Sequence, residues 1–540
     1  FFRPVIGYYT YNLNNFLDEI EIIDNKHELL KAVIGTMLNS LFEMAYKTLV
    51  LETNAAGMDG KLAGESPAER AEYFADVLLR DETCLRNIYE EYAELTRLMK
   101  LKVKNICSYV KEIIVNTKNE YDHLTFLFCN GESLGKIKAI SFGSGDSHNS
   151  GKTVAKLLFT SGRILIYKPR ALEIEKGYFN FIRWINAQPI SGFKILKAPM
   201  VHYINDAGWM EYIEYIHCDN KDQVQHFYSR IGQLLCILYI LNARDFHFEN
   251  IIACGEQPIL IDLETLFNPE ILNIEPGNAN ASETAMRIIN NSVKCISLLP
   301  TQIVNPKNNK VIEVGGLSHK DRQLSPFKQY YIKDIDSDEI RVESAYGYVE
   351  GKDNSPSLNG DRINSANYLN EIKEGFVNTY EWIQENKGLF LEEVKYEFKD
   401  MLCRIVYRPT NLYLQLLATS YHPNLLRKKA DRKVYLHRIG LVADEREKTI
   451  LYSELEQMLD SDVPYFSARF NGDWLLNNKH EAIFQLNTGS VFNNIARKTN
   501  SLCTEDLKWQ LSVINYSYSS NTEACQNRRT KTCFKNDIKK

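Results

Sequence analysis

Asp245, His247 and Asn250 share one short stretch, and together with Asp262 they have the types and order that phosphoryl transfer requires. Moving a phosphoryl group onto a hydroxyl needs a carboxylate that orients the hydroxyl or takes its proton. It also needs oxygen ligands that hold Mg²⁺ on the nucleotide phosphates. Asp245 suits the first task. Asn250, five residues on, and Asp262, twelve residues after the Asn, suit the second. Asp262 closes the apolar run Pro258-Ile-Leu-Ile261, and a buried strand rarely ends in an acid without a reason. Taken alone, the loop reads equally well as an Asx turn after a helix, with His247 a satisfied loop histidine.

The order of loop Asp, Asn five residues later, then metal-binding Asp is that of protein kinases. The embedded His247 resembles the D-R-H-x-x-N loop of phosphoinositide 3-kinase-like enzymes more closely than H-R-D. Asp262-Leu263-Glu264 stands where protein kinases carry D-F-G. Lys168 ends the alternating run Arg163-Ile-Leu-Ile-Tyr-Lys168, the place where a kinase strand presents the lysine that neutralises the α/β-phosphates. Glu173 and Glu175 on the following helix are both candidate partners for it. The segment Gly145-Asp-Ser-His-Asn-Ser-Gly151-Lys152-Thr153 has five residues between its glycines, one too many for a Walker loop, and Asp146 would repel a phosphate. Asp146 and His148 form instead a carboxylate and imidazole pair suited to proton transfer, or a plain turn.

The elements that must position these residues follow from periodicity. Residues 1–135 read as a helical region in which Ser66-Pro67-Ala68-Glu69 has the pattern of a capping box. Residues 136–268 read as a core. Thr153–Phe159 and Arg163–Lys168 flank the turn Thr160-Ser161-Gly162 as a hairpin, and a helix spans Leu172–Asn186. Strands are expected near Met200–Ile204 and Trp209–Ile216, a buried helix at Asp222–Asn242, then the Asp245 loop and a short strand Ile259–Ile261. Residues 269–365 read as a loop-rich mixed region, 366–515 as helices broken at Tyr407-Arg408-Pro409, and 516–540 as a polar, frayed tail. The fold class expected is α+β.

Composition bounds the function. A chain of 540 residues is long enough for two or three cores, and its formal charge of −5 gives no reason to expect nucleic acid as partner. The apolar stretch Ile231–Ala243 is too short for the ~20 residues of a membrane span. Eleven scattered cysteines without a C-x-x-C pair fit a reducing cytoplasm better than a disulfide framework or a zinc ribbon. The start, Phe1-Phe2-Arg3-Pro4, has neither an initiator Met nor a signal pattern.

Five motifs in order carry a family resemblance over about half of the chain. They are Gly145-Asp146-Ser-His148-Asn-Ser-Gly151, Tyr167-Lys168-Pro169-Arg170, Asp245-Phe-His247-Phe-Glu-Asn250, Asp262-Leu-Glu264 and Arg404-Ile-Val-Tyr-Arg408-Pro409-Thr410. Together they resemble the dehydratase region of class II lanthipeptide synthetases. The resemblance implies a bilobal lipid-kinase-like core with large helical additions, in a cytoplasmic bacterial enzyme. The implied reaction has two steps: ATP phosphorylates Ser or Thr of a ribosomal precursor peptide, and elimination of phosphate leaves dehydroalanine or dehydrobutyrine. In this scheme Lys168, Asn250 and Asp262 hold ATP, with Asn250 and Asp262 on Mg²⁺, while Asp245 and His247 serve the hydroxyl. Arg404 and Thr410 bind the leaving phosphate, and Asp146 and His148 move protons or contact it.

The resemblance also implies a leader segment on the precursor, and possibly a cyclase domain and an export transporter as partners. Contacts for the leader are expected in the N-terminal helices and the Asn268–Asn291 loops. The zinc ligands of the family's cyclase have no counterpart here, since Cys503, Cys525 and Cys533 lack a paired downstream histidine, so neither zinc nor ring closure is expected. Three alternatives compete: a plain lipid-kinase-like phosphotransferase, an inactive peptide-binding scaffold, and a metal-dependent hydrolase using Asp146, His148, Asp245 and His247.

Overall fold

The computed structural model describes residues 1–148, 150–269, 281–442 and 447–519, and leaves aside the side chains of 144–148, 282, 283, 286 and 442. Its first layer is helical. Leu29, Val33, Met37 and Leu41 recur every four residues on the helix Lys26–Met58, so one face is apolar and buries against the helices Arg3–Asp18 and Ala93–Asn119. Asn25 caps the long helix by accepting from the Glu28 N–H. Ser66 and Glu69 form the expected reciprocal capping box on Pro67–Tyr73.

The opposite side of Ala93–Asn119 packs on a five-stranded antiparallel sheet made of β1 (Ile137–His148), β2 (Lys152–Phe159), β3 (Ile164–Lys168), β4 (Val201–Ile204) and β5 (Ala207–Glu211), in the order β1-β2-β3-β5-β4. Ala155, Leu157 and Phe159 alternate inward along β2, as a strand with one buried face requires. Tyr167 and Trp209 join the same core, and their polar atoms find Asn116 and Thr117 on the helix at 2.9 and 3.2 Å. The β2–β3 turn falls on Thr160-Ser161-Gly162, as the sequence suggests. β5 stops at Glu211, short of the expected Ile216. Beyond it the chain leaves the sheet, and Ile216 bridges to Cys254 instead.

Below the sheet, the helix Glu173–Asn186 and the helix Lys221–Ile240, buried all round from Arg230 on, belong to a second core. The latter lies so close to the helix Leu369–Glu385 that a Cβ on Gly232 would sit 2.0 Å from the Ile372 carbonyl oxygen, and one on Gly375 2.1 Å from that of Ser229. Glycine at both points lets the backbones meet. The chain then forms the hairpin β6 (Ile251–Cys254) and β7 (Gln257–Leu260), which sets Asn250 and Asp262 at the same open end.

Two regions depart from the expected pattern. Residues 366–515 contain, besides helices, a four-stranded antiparallel sheet of Leu402–Arg404, Ser467–Arg469, Trp474–Leu476 and Ala482–Gln485. Each strand has three or four residues, too few to show an alternating pattern. The helix Thr504–Ser519 runs past Tyr516 and buries Ile514 and Tyr518, so residues 516–519 are helical and not frayed. Residues 520–540, with Cys525 and Cys533, and 270–280 of the expected leader-contact loop lie outside the described residues. The fold is α+β, and no described helix is long and apolar enough to cross a membrane.

Candidate functional site

The loop after Lys221–Ile240 is held from several sides. Asn242 and Asp245 both adopt left-handed backbone (φ 61° and 65°), uncommon for residues with a Cβ and affordable where neighbours fix the chain. Those neighbours are Thr265, whose carbonyl accepts from the Arg244 N–H and whose hydroxyl donates to the Arg244 carbonyl, and Ile296, whose carbonyl accepts from the Phe246 N–H. Phe246 is fully buried, which anchors the loop while the Asp245 side chain stays exposed. His247 accepts from the Glu249 N–H at Nδ1 (3.3 Å), so its proton belongs on Nε2, which lies 3.7 Å from Asp245 Oδ1.

Asn250 is fixed by three hydrogen bonds. Its N–H donates to the His247 carbonyl, its Nδ2 donates to the Asp245 carbonyl at 2.7 Å, and its own carbonyl accepts from the Ile261 N–H at 3.1 Å. With Nδ2 used inside the loop, Oδ1 is the amide's remaining polar atom, and the bond from Ile261 brings the backbone of Asn250 alongside the residue before Asp262. Asp262 meets Lys168 Nζ at 3.5 Å, Arg170 at 3.3 Å and the Glu264 N–H at 3.4 Å, and all three contacts fall on Oδ1. Oδ2 takes none of them. Asn250 Oδ1 and Asp262 Oδ2 are both oxygens of the hard-donor type that a divalent cation takes. Burial opposes the Asp262 charge, but Lys168, Arg170 and Arg404 outweigh it and hold the carboxyl below its ordinary range.

Lys168 is buried, with Nζ bonded to the Ile261 carbonyl at 2.8 Å. Its helix partner is Glu175 at 3.6 Å, which resolves the choice that the sequence leaves open between Glu173 and Glu175. Glu175 is also clasped by Arg170 through both oxygens, at 2.5 and 3.0 Å. Burial pushes the Glu175 carboxyl up, and the Arg170 and Lys168 charges bring it down below its usual range.

Arg404 ends its strand with its side chain nearly buried and paired to Glu264. Glu264 Oε2 lies 3.5 Å from Arg170 Nε, and Arg404 stacks 5.6 Å above the Tyr465 ring. A continuous chain of ion pairs therefore runs from Lys168 through Glu175 and Asp262 to Arg170, and from Arg170 through Glu264 to Arg404. Sequence reasoning quoted Arg170 and Glu264 within motifs but gave them no role. The signal was a cation and an acid, each two residues from an assigned one.

The structure does not draw every expected residue into this cluster. Thr410 opens the helix Thr410–Ser420, six residues beyond Arg404, outside the charge chain. Arg408 points the other way, onto buried Glu447 and Glu454, where Tyr413 also bonds Glu454. That arginine secures the helix. Asp146 and His148 lie on the last residues of β1, and their side chains fall outside those described. A cavity of about 510 Å³, lined in part by Phe128, Arg163, Met200 and Glu211, is built on other residues than these.

Comparison with known proteins agrees with the motif resemblance. A family model described as a domain of unknown function, DUF4135, matches residues 92–469. The lacticin 481/lactococcin biosynthesis protein LcnDR2 of Lactococcus lactis subsp. lactis is 28% identical over 529 residues, covering 94% of this chain and 54% of that protein. The chain thus spans about half the length of the curated relative it matches. The matched region runs from Tyr92 to Arg469 and contains each motif residue from Asp146 to Thr410, and the chain belongs to the DUF4135 family associated with lanthipeptide synthetases.

Proposed function

We propose that this chain is a lanthipeptide dehydratase with a lipid-kinase-like bilobal core, which phosphorylates Ser and Thr of a leader-bearing precursor peptide with ATP and then eliminates the phosphate. The observation that carries the proposal is the continuity of charge from Lys168 through Asp262 to Arg404, which joins a phosphoryl-transfer site to an arginine that phosphoryl transfer alone does not need. The role of the Lactococcus lactis relative in lacticin 481 and lactococcin biosynthesis supports the substrate class.

In the first step Asp245 orients the acceptor hydroxyl and takes its proton, held in place by its carbonyl bond to Asn250. Lys168, steadied by Glu175, faces the phosphates. Asn250 and Asp262 would hold Mg²⁺, which when bound neutralises phosphate charge. In the second step the new phosphoserine or phosphothreonine loses its Cα proton to a base, for which Asp146 and His148 are the candidates. The electron pair becomes the Cα=Cβ bond, and the Cβ–O bond breaks. Arg404 binds the departing phosphate once it exchanges Glu264 for it, with Thr410 offering a further hydrogen bond.

The existing Arg404–Glu264 pair favours one second reading, a plain phosphotransferase in which Arg404 is structural. Mass spectrometry of Ser/Thr-containing, leader-bearing peptides incubated with ATP and Mg²⁺ separates the two. Dehydrated product from wild type and accumulated phosphopeptide from Arg404→Ala are expected. Stable phosphopeptide from both establishes the plain kinase.

A further inference from the structure

The turn joining β1 to β2, next to Asp146 and His148, is tied to a distant segment. Ser150 and Gly151 both adopt left-handed backbone (φ 74° each), so their successive N–H groups converge as a turn nest, a geometry that receives an anion. The anion is the side chain of Asp462. The Ser150 N–H donates to Oδ2 at 2.6 Å and the Gly151 N–H to Oδ1 at 2.7 Å, across 312 and 311 residues of sequence. Five residues on, Ser467 pairs with Arg404 in the four-stranded sheet, and between them Tyr465 lies under the Arg404 guanidinium and Phe466 accepts from the Ile405 N–H. Residues 462–467 thus grip the glycine-rich turn at one end and the strand of Arg404 at the other.

This carboxylate is held away from water. Asp462 is 8% exposed, and burial pushes its carboxyl up to about 6 despite the two N–H donors and Lys102, with Asp460 adding like charge. Its ionised form at neutral pH is therefore a cost to the fold, of the kind that persists where function requires it. Elimination supplies such a requirement. The base and the leaving-group arginine must act on one bound residue, and a misplacement of about 1 Å costs roughly a hundredfold in rate.

We propose that Asp462 is a positioning residue for elimination, fixing the turn that follows the strand end of Asp146 and His148 against the strand that presents Arg404. This rests on the dehydratase reading. The role concerns loss of the Cα proton and departure of phosphate from a phosphopeptide, not transfer from ATP.

The test uses the full chain and a peptide that wild type dehydrates, together with its synthetic phosphoserine form. Asp462→Asn keeps the shape and one acceptor. It should slow elimination from the phosphopeptide about tenfold or more and leave the phosphorylation rate within about twofold. Gly151→Ala attacks the same bonds from the other side, since its φ is positive and its Cβ would lie 3.2 Å from Lys102 Nζ. It should show the same split, and the double variant should cost no more than the worse single one. Unchanged elimination in Asp462→Asn overturns the proposal, and so does an equal fall in both steps, which marks a merely structural contact. If wild type dehydrates no peptide at all, the functional reading itself fails and takes the positioning role with it.

Discussion

Glu175 is the keystone of the charge chain, and replacing it gives a number that can be wrong. Three cations, Lys168, Arg170 and Arg404, face three acids, Glu175, Asp262 and Glu264. The side chains of Glu175, Lys168 and Arg170 are 3%, 5% and 18% exposed, so solvent cannot compensate a missing charge. Glu175→Leu leaves one buried cation in excess, and breaking a buried pair in this way costs about 3–5 kcal/mol. Deleting Arg170 as well, in Glu175→Leu/Arg170→Met, restores the balance and should recover more than half of that loss. Urea unfolding of the three proteins reads both values. Lys168 keeps its bonds to Ile261 and Asp262, but without Glu175 it swings toward Asp262, and phosphorylation should fall about a hundredfold. A loss below about 1 kcal/mol with normal phosphorylation refutes the reasoning. A double variant less stable than Glu175→Leu refutes the balance argument.

Other expectations follow from single contacts. Asp245→Asn should lower phosphorylation by roughly 10²–10⁴-fold, the usual worth of a positioned base, with ATP binding by calorimetry retained. Asp262→Asn should raise the Mg²⁺ concentration needed for half-maximal phosphorylation, since it weakens one of the two oxygens proposed to hold the ion, the one off the ion-pair contacts. Asp462 has its folded pKa near 6, above its ordinary value, so its contribution to stability is lost as pH rises from about 4 to 6. Asp462→Asn, with no charge to bury, should lose less stability than wild type between pH 4 and pH 7 in urea unfolding; an equal pH dependence in the two proteins contradicts this. Gly232→Ala should destabilise by about 3 kcal/mol or more, read as a lower urea midpoint, because its Cβ meets a backbone carbonyl at 2.0 Å.

How much of this was legible in the sequence depends on the range of each signal. The β2–β3 hairpin, the capping box at Ser66 and the buried helix before Asp245 are local patterns, and each appears where its pattern puts it. The nearness of Asn250 and Asp262 was implied by one short strand between them, and the hairpin β6–β7 realises it. The choice of Glu175 over Glu173 depends on which helix face turns to the sheet, a tertiary fact that two acids on one turn cannot reveal. The strands around Arg404 are shorter than two periods of alternation and pair with segments more than sixty residues away, so they fall within what reads as a helical region. Asp462 had no motif. Its bonds to Ser150 and Gly151 join parts of the chain that no local pattern relates. Arg170 and Glu264 were visible as residues but not as partners, because ion-pair chains are set by packing.

The most direct measurement is a rapid-quench time course by mass spectrometry, with wild-type protein, ATP, Mg²⁺ and a leader-bearing peptide rich in Ser and Thr. A phosphorylate-then-eliminate site predicts a phosphopeptide that rises early and then falls as the dehydrated peptide appears. Phosphopeptide that accumulates without water loss, or dehydration that proceeds in the absence of ATP, would contradict it.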